Sequence, residues 1–329
     1  MKAVLVTGGA GYIGSHTVQE LLRQNMKVIV LDNLSTGHKE AVKSPYFYIG
    51  DIADDELLRD IIYTHQVDSI IHFAAKSLVS ESLIKPEGYF RENTFKTCSF
   101  FEKAIQYGVK RIVFSSTAAV YGITEDEPIN EMSTIKPINP YGESKYFTER
   151  FLYWLGKKHK IQWIVLRYFN AAGASLGGEI GEDHYPESHL IPLILQTALG
   201  KREFISVFGN DYPTFDGTCI RDYIHVIDLA NAHIKALKAL FEGKIVSNIY
   251  NVGTGKGYSV ANVIDVAKEV TNRIIPIEYE PRREGDPPIL VADSTAIQKQ
   301  LEWKPAFSDL RTIINSAWNW HFNHPNGYE

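Results

Sequence analysis

Along the first half of the chain, short apolar runs alternate with longer segments whose apolar positions recur every three or four residues. The runs AVLVTG, KVIVLD, SIIHFA, RIVFSS and WIVLRY have strand length, and helical spacing marks residues 12–24, 54–65, 87–107 and 141–159. That alternation predicts βαβ units and a doubly wound parallel sheet of the α/β class. Runs such as VIVL show no polar alternation, as strands covered on both faces should.

After about residue 170 the pattern breaks into glycine-rich and charged loops, AAGASLGGEIGEDHYPESH, before a helix resumes near His189. Further helices are expected over 190–200, 260–271 and 309–322, separated by FGNDYPTFDGTCIRDYIHV and EPRREGDPP. Residues 1–170 are therefore expected to form one lobe and 171–329 a smaller α/β substrate lobe, with the segment near 220–242 returning to the first.

Composition narrows the classes. No run approaches eighteen apolar residues, and the chain opens directly on MKAVLVTGG, so a soluble cytoplasmic protein without a membrane partner is expected. Thirty-four basic against 39 acidic residues give a net charge of −5, which argues against nucleic acid as a partner. Cys98 and Cys219 have no paired spacing, in keeping with a reduced compartment. His184 and His189 flank YPES, and His321 and His324 lie three apart; neither pair is read as having the Glu or Cys company of a zinc site, so all four are expected as solvated loop or helix-end residues and no metal is predicted.

Chemistry enters with TGGAGYIGSH, which follows the first strand and leads into a helix. Gly8, Gly11 and Gly14 permit a tight turn and close backbone approach, and the helix N-terminus favours an anion; this is the Rossmann dinucleotide signature in its proper context. Asp32 ends the second strand, 18 residues past Gly14, where a carboxylate accepts ribose hydroxyls and repels a ribose phosphate. NAD is therefore expected rather than NADP. Thr117 lies just past the strand in FSSTAAVYG, and PYGESK sets Tyr141 one helical turn before Lys145. A tyrosine that takes a proton from an alcohol must become phenolate about 3 pH units below its free value, about 4 kcal/mol of differential stabilisation, which a lysine and a positive nicotinamide can supply.

Those motifs resemble the extended short-chain dehydrogenase/reductase family. Within it, VTGGAGYIGSH, LDNLSTG, IHFAA, FSSTAAVYG, NPYGESK, LRYFNAAGA, FGNDYPTFDGTCIRDYIHV and PRREGDP are similar, in order and over nearly the whole chain, to the UDP-glucose 4-epimerase family. The resemblance implies reversible epimerisation of UDP-galactose and UDP-glucose through a transient 4-keto sugar, with Tyr141 as base and acid, Thr117 assisting and Lys145 tuning the tyrosine. It implies cofactor contacts from Gly8, Gly11, Tyr12, Ile13, Gly14, Asp32, Asn33, Ser35, Thr36, Asp51, Ile52, Phe73, Ala74, Asn93, Lys145 and Tyr168. Substrate contacts would come from Thr117, Tyr141, Asn170, His189, Leu190, Phe208, Arg221, Arg283 and Asp286. A homodimer built on the 87–107 and 141–159 helices is implied as well.

Departures from the family pattern are Lys76 one place early, Phe95 and Lys96 in place of Asn-Gly, and His189 in place of asparagine. Leu290 falls where bulk decides whether N-acetylated sugars enter. Its intermediate size leaves a UDP-N-acetylhexosamine epimerase open, although UDP-glucose and UDP-galactose are expected to be preferred. A nucleotide-sugar 4,6-dehydratase is disfavoured because Ala118 and Ala119 replace the Asp-Glu it needs, and a UDP-glucuronate decarboxylase because of the FGNDYPTFDGT loop. A non-catalytic NAD-sensing regulator is disfavoured by the joint presence of Thr117, Tyr141 and Lys145.

Overall fold

The structure is a computed structural model that describes residues 3–124, 126–283 and 285–329. The first half runs β1 (Ala3–Thr7), α1 (Tyr12–Arg23), β2 (Val28–Asp32), β3 (Tyr46–Ile49), α2 (Asp55–His65), β4 (Val67–His72), α3 (Val79–Ile84), α4 (Pro86–Tyr89), α5 (Thr97–Gln106), β5 (Arg111–Thr117), α6 (Pro140–His159) and β6 (Gln162–Tyr168). The second half continues with β7 (Asn170–Ala172), α7 (Leu190–Ala198), β8 (Ile205–Phe208), β9 (Ile220–His225), α8 (Val226–Phe241), β10 (Ser247–Val252), β11 (Gly257–Ser259), α9 (Val260–Thr271), β12 (Ile277–Glu280), β13 (Ile289–Leu290), α10 (Thr295–Leu301) and α11 (Leu310–Asn323).

Seven strands form one parallel sheet in the order β10-β6-β5-β4-β1-β2-β3, which is the predicted doubly wound α/β class. The reversal of strand order between β1 and β4 opens a crevice at their carboxyl ends, where ligands bind in such sheets. Every residue of β1, β2 and β4 is buried. On one face Val18, Leu21, Leu229, Leu237 and Trp303 pack on Val4, Val6 and Val30. On the other, Leu58, Ile61, Phe100, Phe101 and Leu152 pack on Leu5, Ile29 and Ile70. Strand β3 was not foreseen because YFYI is a half-exposed edge strand without a continuous buried run.

The smaller lobe has its own core of Ile191, Leu195, Val263, Ile264, Ile313 and Ile314, where α7, α9 and α11 meet. Its strands form a small sheet, β11-β9-β13 with β7 also pairing β9, and a parallel pair, β12-β8. Residues 226–241 and 247–252 lie with the large sheet, α8 packing on α1 and β10 forming an edge, whereas 220–225 pairs within the small sheet. The helix expected over 87–107 runs without a break over 86–106 but is not α-helical throughout. Between α4 and α5, residues 90–96 form a wide π-helical turn that buries Asn93. No helix among the described residues is long and apolar enough to cross a membrane.

A candidate active site at the carboxyl edge of the parallel sheet

The glycine turn is shaped by contact. Gly8 has φ +70°, and a Cβ there would lie 2.5 Å from the Ala74 backbone nitrogen. A Cβ on Gly14 would sit 2.1 Å from the Gly8 carbonyl oxygen, so α1 can start only this close to the turn if that residue is glycine. Gly11 precedes α1 without a capping side chain, and the first turn carries no acidic residue, which leaves backbone N–H groups available to an anion. Asp32 is held at the end of β2, with one carboxylate oxygen accepting from Ala10 N at 2.9 Å and the other from Leu34 N at 2.8 Å. Burial pushes its carboxyl above the ordinary range and those two N–H groups pull it back. The glycine cradle, the uncapped helix and the oriented carboxylate fit the pyrophosphate and ribose of NAD.

Around that edge, Ile52 is buried, Phe73, Ala74 and Tyr168 are half-buried, and Asn33, Ser35 and Thr36 are exposed. The Asp51 carboxyl is lowered although burial works the other way, because the Lys96 ammonium lies 2.8 Å from it. Asn93 does more structural work than the resemblance implies. Its amide bonds both backbone groups of Lys76, at 2.8 and 2.9 Å, and the Ser144 hydroxyl at 3.1 Å, tying the loop after β4 to α6. The Tyr12 phenol donates to the Gly173 carbonyl at 2.6 Å, so the side chain fastens α1 to the far lobe and only its backbone faces the turn.

Tyr141 is brought to Thr117 by the way α6 starts. Asn139 caps the helix through Gly142 N at 2.8 Å, and Pro140 occupies the first turn. A Cβ on Gly142 would lie 2.6 Å from the Ala119 carbonyl oxygen, so the helix end abuts the turn that follows β5. Tyr141 is buried there, its ring edge-on to Tyr89 at 6.4 Å. Burial raises its phenol above the ordinary value, and the Thr117 hydroxyl draws it part of the way back. Lys145 lies one turn on, also buried, with Nζ donating to the Ser115 carbonyl at 2.8 Å. Burial lowers its pKa to about 7. The ammonium is thus held by β5, and it is the Thr117 hydroxyl that offsets part of the phenol's burial.

Opposite this edge the substrate candidates gather from separate loops. Leu290 of β13 pairs in register with Arg221 of β9, and the Arg221 guanidinium forms an ion pair with Asp286 while donating to the Ile220 carbonyl at 2.8 Å. The Arg283 guanidinium stacks over the Phe208 ring at 3.8 Å. Leu290 packs against the cluster of Ala118, Val120, Tyr121 and Phe169, which joins this loop to the turn after Thr117. Asn170 is exposed at the start of β7, two residues beyond Tyr168. Leu190 opens α7 and packs on the smaller core.

The profile of the NAD dependent epimerase/dehydratase family matches residues 4–253. The chain belongs to that family. It is 53% identical over 327 residues to the UDP-glucose 4-epimerase of Halalkalibacterium halodurans, covering 99% of this chain and 97% of that one. A crystal structure of a UDP-glucose 4-epimerase superposes with a TM-score of 0.97 at 47% identity, covering 100% of each chain. That of the Bifidobacterium longum enzyme, solved in complex with NAD+ and UDP, gives 0.94 at 36% identity, covering 99% of this chain and 100% of that one. Cofactor use follows the family: NAD is the cofactor.

The histidines depart from the expectation drawn from the sequence. His184 and His189 do have carboxylate company, since Glu182 and Glu187 fold back onto them; the ED and PES on either side of His184 were the signal. The His189 ring is held by Glu182. His321 is buried, not solvated, beside Trp320. Residues that the motifs did not single out also shape the site. Lys96 anchors Asp51, Asn139 sets the start of α6, and the buried Glu149–Arg167 pair fixes the middle of α6 to β6, with Ser116 donating to the same carboxylate. The i,i+4 spacing of Glu92 and Lys96 and the Asn-Pro before Tyr141 were legible hints of the first two.

Proposed function

We propose that the protein interconverts UDP-galactose and UDP-glucose by epimerising the sugar's fourth carbon at a tightly held NAD. The observation that carries this reading is the buried Tyr141 phenol, whose titration the Thr117 hydroxyl at the end of β5 draws down, one helical turn from the buried Lys145. Bound NAD would supply reversible hydride acceptance at the fourth carbon, so the reaction would have no net redox change.

The protein's own residues handle the proton and the substrate. Tyr141, as phenolate, accepts the proton of the fourth-carbon hydroxyl, and Thr117 bonds the same oxygen. When the 4-keto sugar has presented its other face, the Tyr141 phenol returns the proton. Burial opposes the phenolate, so the charge of the nicotinamide and of Lys145 must offset it. Lys145 uses one donor on Ser115 and has others for the nicotinamide ribose. Gly8, Gly11, Ile13 and Gly14 cradle the pyrophosphate, and Asp32 takes the adenosine ribose. Arg221 and Arg283 face the substrate diphosphate with donors that match its oxygens, Asp286 takes the uridine ribose, and Phe208 lies against uracil. In this division the large-sheet half holds the cofactor and the loops of the 171–329 half hold the nucleotide sugar.

Leu290 narrows the sugar end through its packing with Ala118 and Phe169, which favours the unacetylated pair. Ala118 and Ala119 offer no acid or base for dehydration. Exposed Phe95, Phe147 and Trp154 on and beside α5 and α6 support a homodimer through these helices, and the two unpaired thiols support a cytoplasmic setting. The test is to incubate purified protein with UDP-galactose and no added cofactor, and to follow UDP-glucose by NMR. Absence of product from protein shown to carry NAD would remove the epimerase reading in favour of the regulator; rapid turnover of UDP-N-acetylglucosamine would overturn the Leu290 preference.

A further inference from the structure

Away from the proposed catalytic groups, the loop between β7 and α7 collects Glu182, His184, Glu187 and His189. One ligand atom from each lies within 4.8 Å of all the others. His184 Nδ1 is 3.3 Å from Glu182 Oε1 and 3.8 Å from Glu187 Oε1, and His189 Nδ1 contacts the same Glu182 oxygen. The imidazole rings stand edge to face, 5.3 Å apart. Four donors therefore converge from an eight-residue stretch, two of them imidazole nitrogens and two carboxylate oxygens.

Burial makes this more than a solvated charge group. The Glu182 side chain is 3% exposed and that of Glu187 5%, and among the described residues no Lys or Arg lies within ion-pair distance of either. Two carboxylates withdrawn from water need positive charge close by, and besides the Ser188 and His189 N–H groups on Glu187 it comes, among the described residues, from the two imidazoles, through their own protons or through an ion they share. The donor set says which kind: imidazole and carboxylate together suit a borderline transition-metal ion, whereas calcium and magnesium take oxygen. A four-coordinate ion with arms of about 2.0–2.1 Å separates neighbouring donors by about 3.4 Å, so the observed separations need only small side-chain movements. The cluster also borders a cavity of about 610 Å³ that reaches solvent, lined further by His321, His324 and Tyr328, so an ion has a route in.

We propose that Glu182, His184, Glu187 and His189 form a four-coordinate site for a divalent transition metal of the zinc class. Its place in the fold defines its effect. The loop is fastened at one end to α1, through the Tyr12–Gly173 hydrogen bond and the Tyr12 ring against His184 at 6.2 Å, and at the other it becomes the start of α7 at His189. A bound ion pins the loop across the joint between the lobes without touching the reacting atoms.

The experiment uses untagged, NAD-loaded, full-length protein stripped with chelator and then titrated with zinc or cobalt(II). The expected result is one zinc per chain by elemental analysis, an intense visible cobalt(II) spectrum of tetrahedral type, and a rise in Tm on metal addition. His184→Gln should weaken zinc binding by more than about 100-fold, beyond the loss typical of outer-shell partners, and abolish the cobalt spectrum while NAD stays bound. If wild type takes up no more zinc than His184→Gln, or if its cobalt spectrum is weak and octahedral, the four groups are an ion cluster held by protons and the proposal is overturned. The wild-type spectrum decides the matter even where the variant does not fold.

Discussion

The glycine turn proposed to hold the cofactor and the arginine loops proposed to hold the nucleotide would meet the same kind of ligand, a diphosphate, and are built by opposite means. The turn offers backbone N–H groups, and its shape is set by contacts that leave no room for a Cβ at Gly8 or Gly14. The loops offer side chains, with Arg221 held by Asp286, 65 residues away, and Arg283 laid on Phe208. A backbone site cannot be altered without moving the chain, whereas a side-chain site can lose one donor and keep its fold. Tyr141 stands between them and belongs to neither strategy, since α6 positions it by its cap and by the close approach of Gly142 to Ala119.

The largest effect is expected at that seam. Tyr141→Phe removes the group proposed to move the proton but not the ring that packs beside Tyr89. Turnover of UDP-galactose should fall about 1,000-fold, within the range of general acid–base contributions, while NAD content and circular dichroism stay unchanged. Activity within a few-fold of wild type would show that the proton has another acceptor.

Next come paired substitutions that set turn against loop. Gly14→Ala places a methyl group against the Gly8 carbonyl and Gly9 Cα, backbone atoms with no flexible end to swing away. It should cost about 1–3 kcal/mol of stability by overpacking and yield protein without NAD, seen together as a lower Tm and a missing nicotinamide absorbance. Arg221→Met should leave NAD content and Tm close to wild type, because Asp286 is partly exposed and can rehydrate. Its loss should appear in KM for the UDP-sugar, raised about 10- to 100-fold for a charged hydrogen bond of about 1.5–3 kcal/mol. If Arg221→Met lost NAD, or Gly14→Ala kept it, the distinction between the two ways of holding phosphate would fail.

The same distinction explains what the sequence made legible. Contacts enforced locally leave local marks: glycines at fixed spacing after a strand, a carboxylate at the next strand's end, Asn-Pro before the tyrosine. The doubly wound sheet was legible for the same reason, because βαβ order follows from the alternation of short and long apolar segments. Arrangements fixed by distant partners left none. Lys145 settles on the Ser115 carbonyl, Asn93 sits in a π-helical turn and bonds the backbone of Lys76, and the edge strand β3 has no buried run to announce it. The 182–189 loop differs from the expectation of solvated histidines without Glu company, because only the fold shows Glu182 and Glu187 turned inward onto them.

The smallest expected effect is one of pH, and His233 reads it on the cofactor side. His16, His72 and His233 are buried in the large-sheet half, and burial keeps each below its ordinary value, His16 and His233 at about 4. His233 lies beside Phe73 and bonds Ser115, the residue whose carbonyl holds Lys145. In the folded protein such a ring stays neutral while the unfolded chain takes up a proton near pH 6.5, so between those limits the unfolded state binds more protons. Stability is therefore fully present above about pH 6.5 and declines as pH falls towards about 4, with a limiting slope of about 1.4 kcal/mol per pH unit for each histidine. His233→Asn keeps a polar partner for Ser115 and removes one of these titrations. Its Tm should fall less than that of wild type between pH 6.5 and 5, by about 2–4 °C for each kcal/mol of the slope removed. Parallel Tm–pH curves for the two proteins would mean that His233 titrates alike in both states and that burial beside the cofactor edge does not govern its proton.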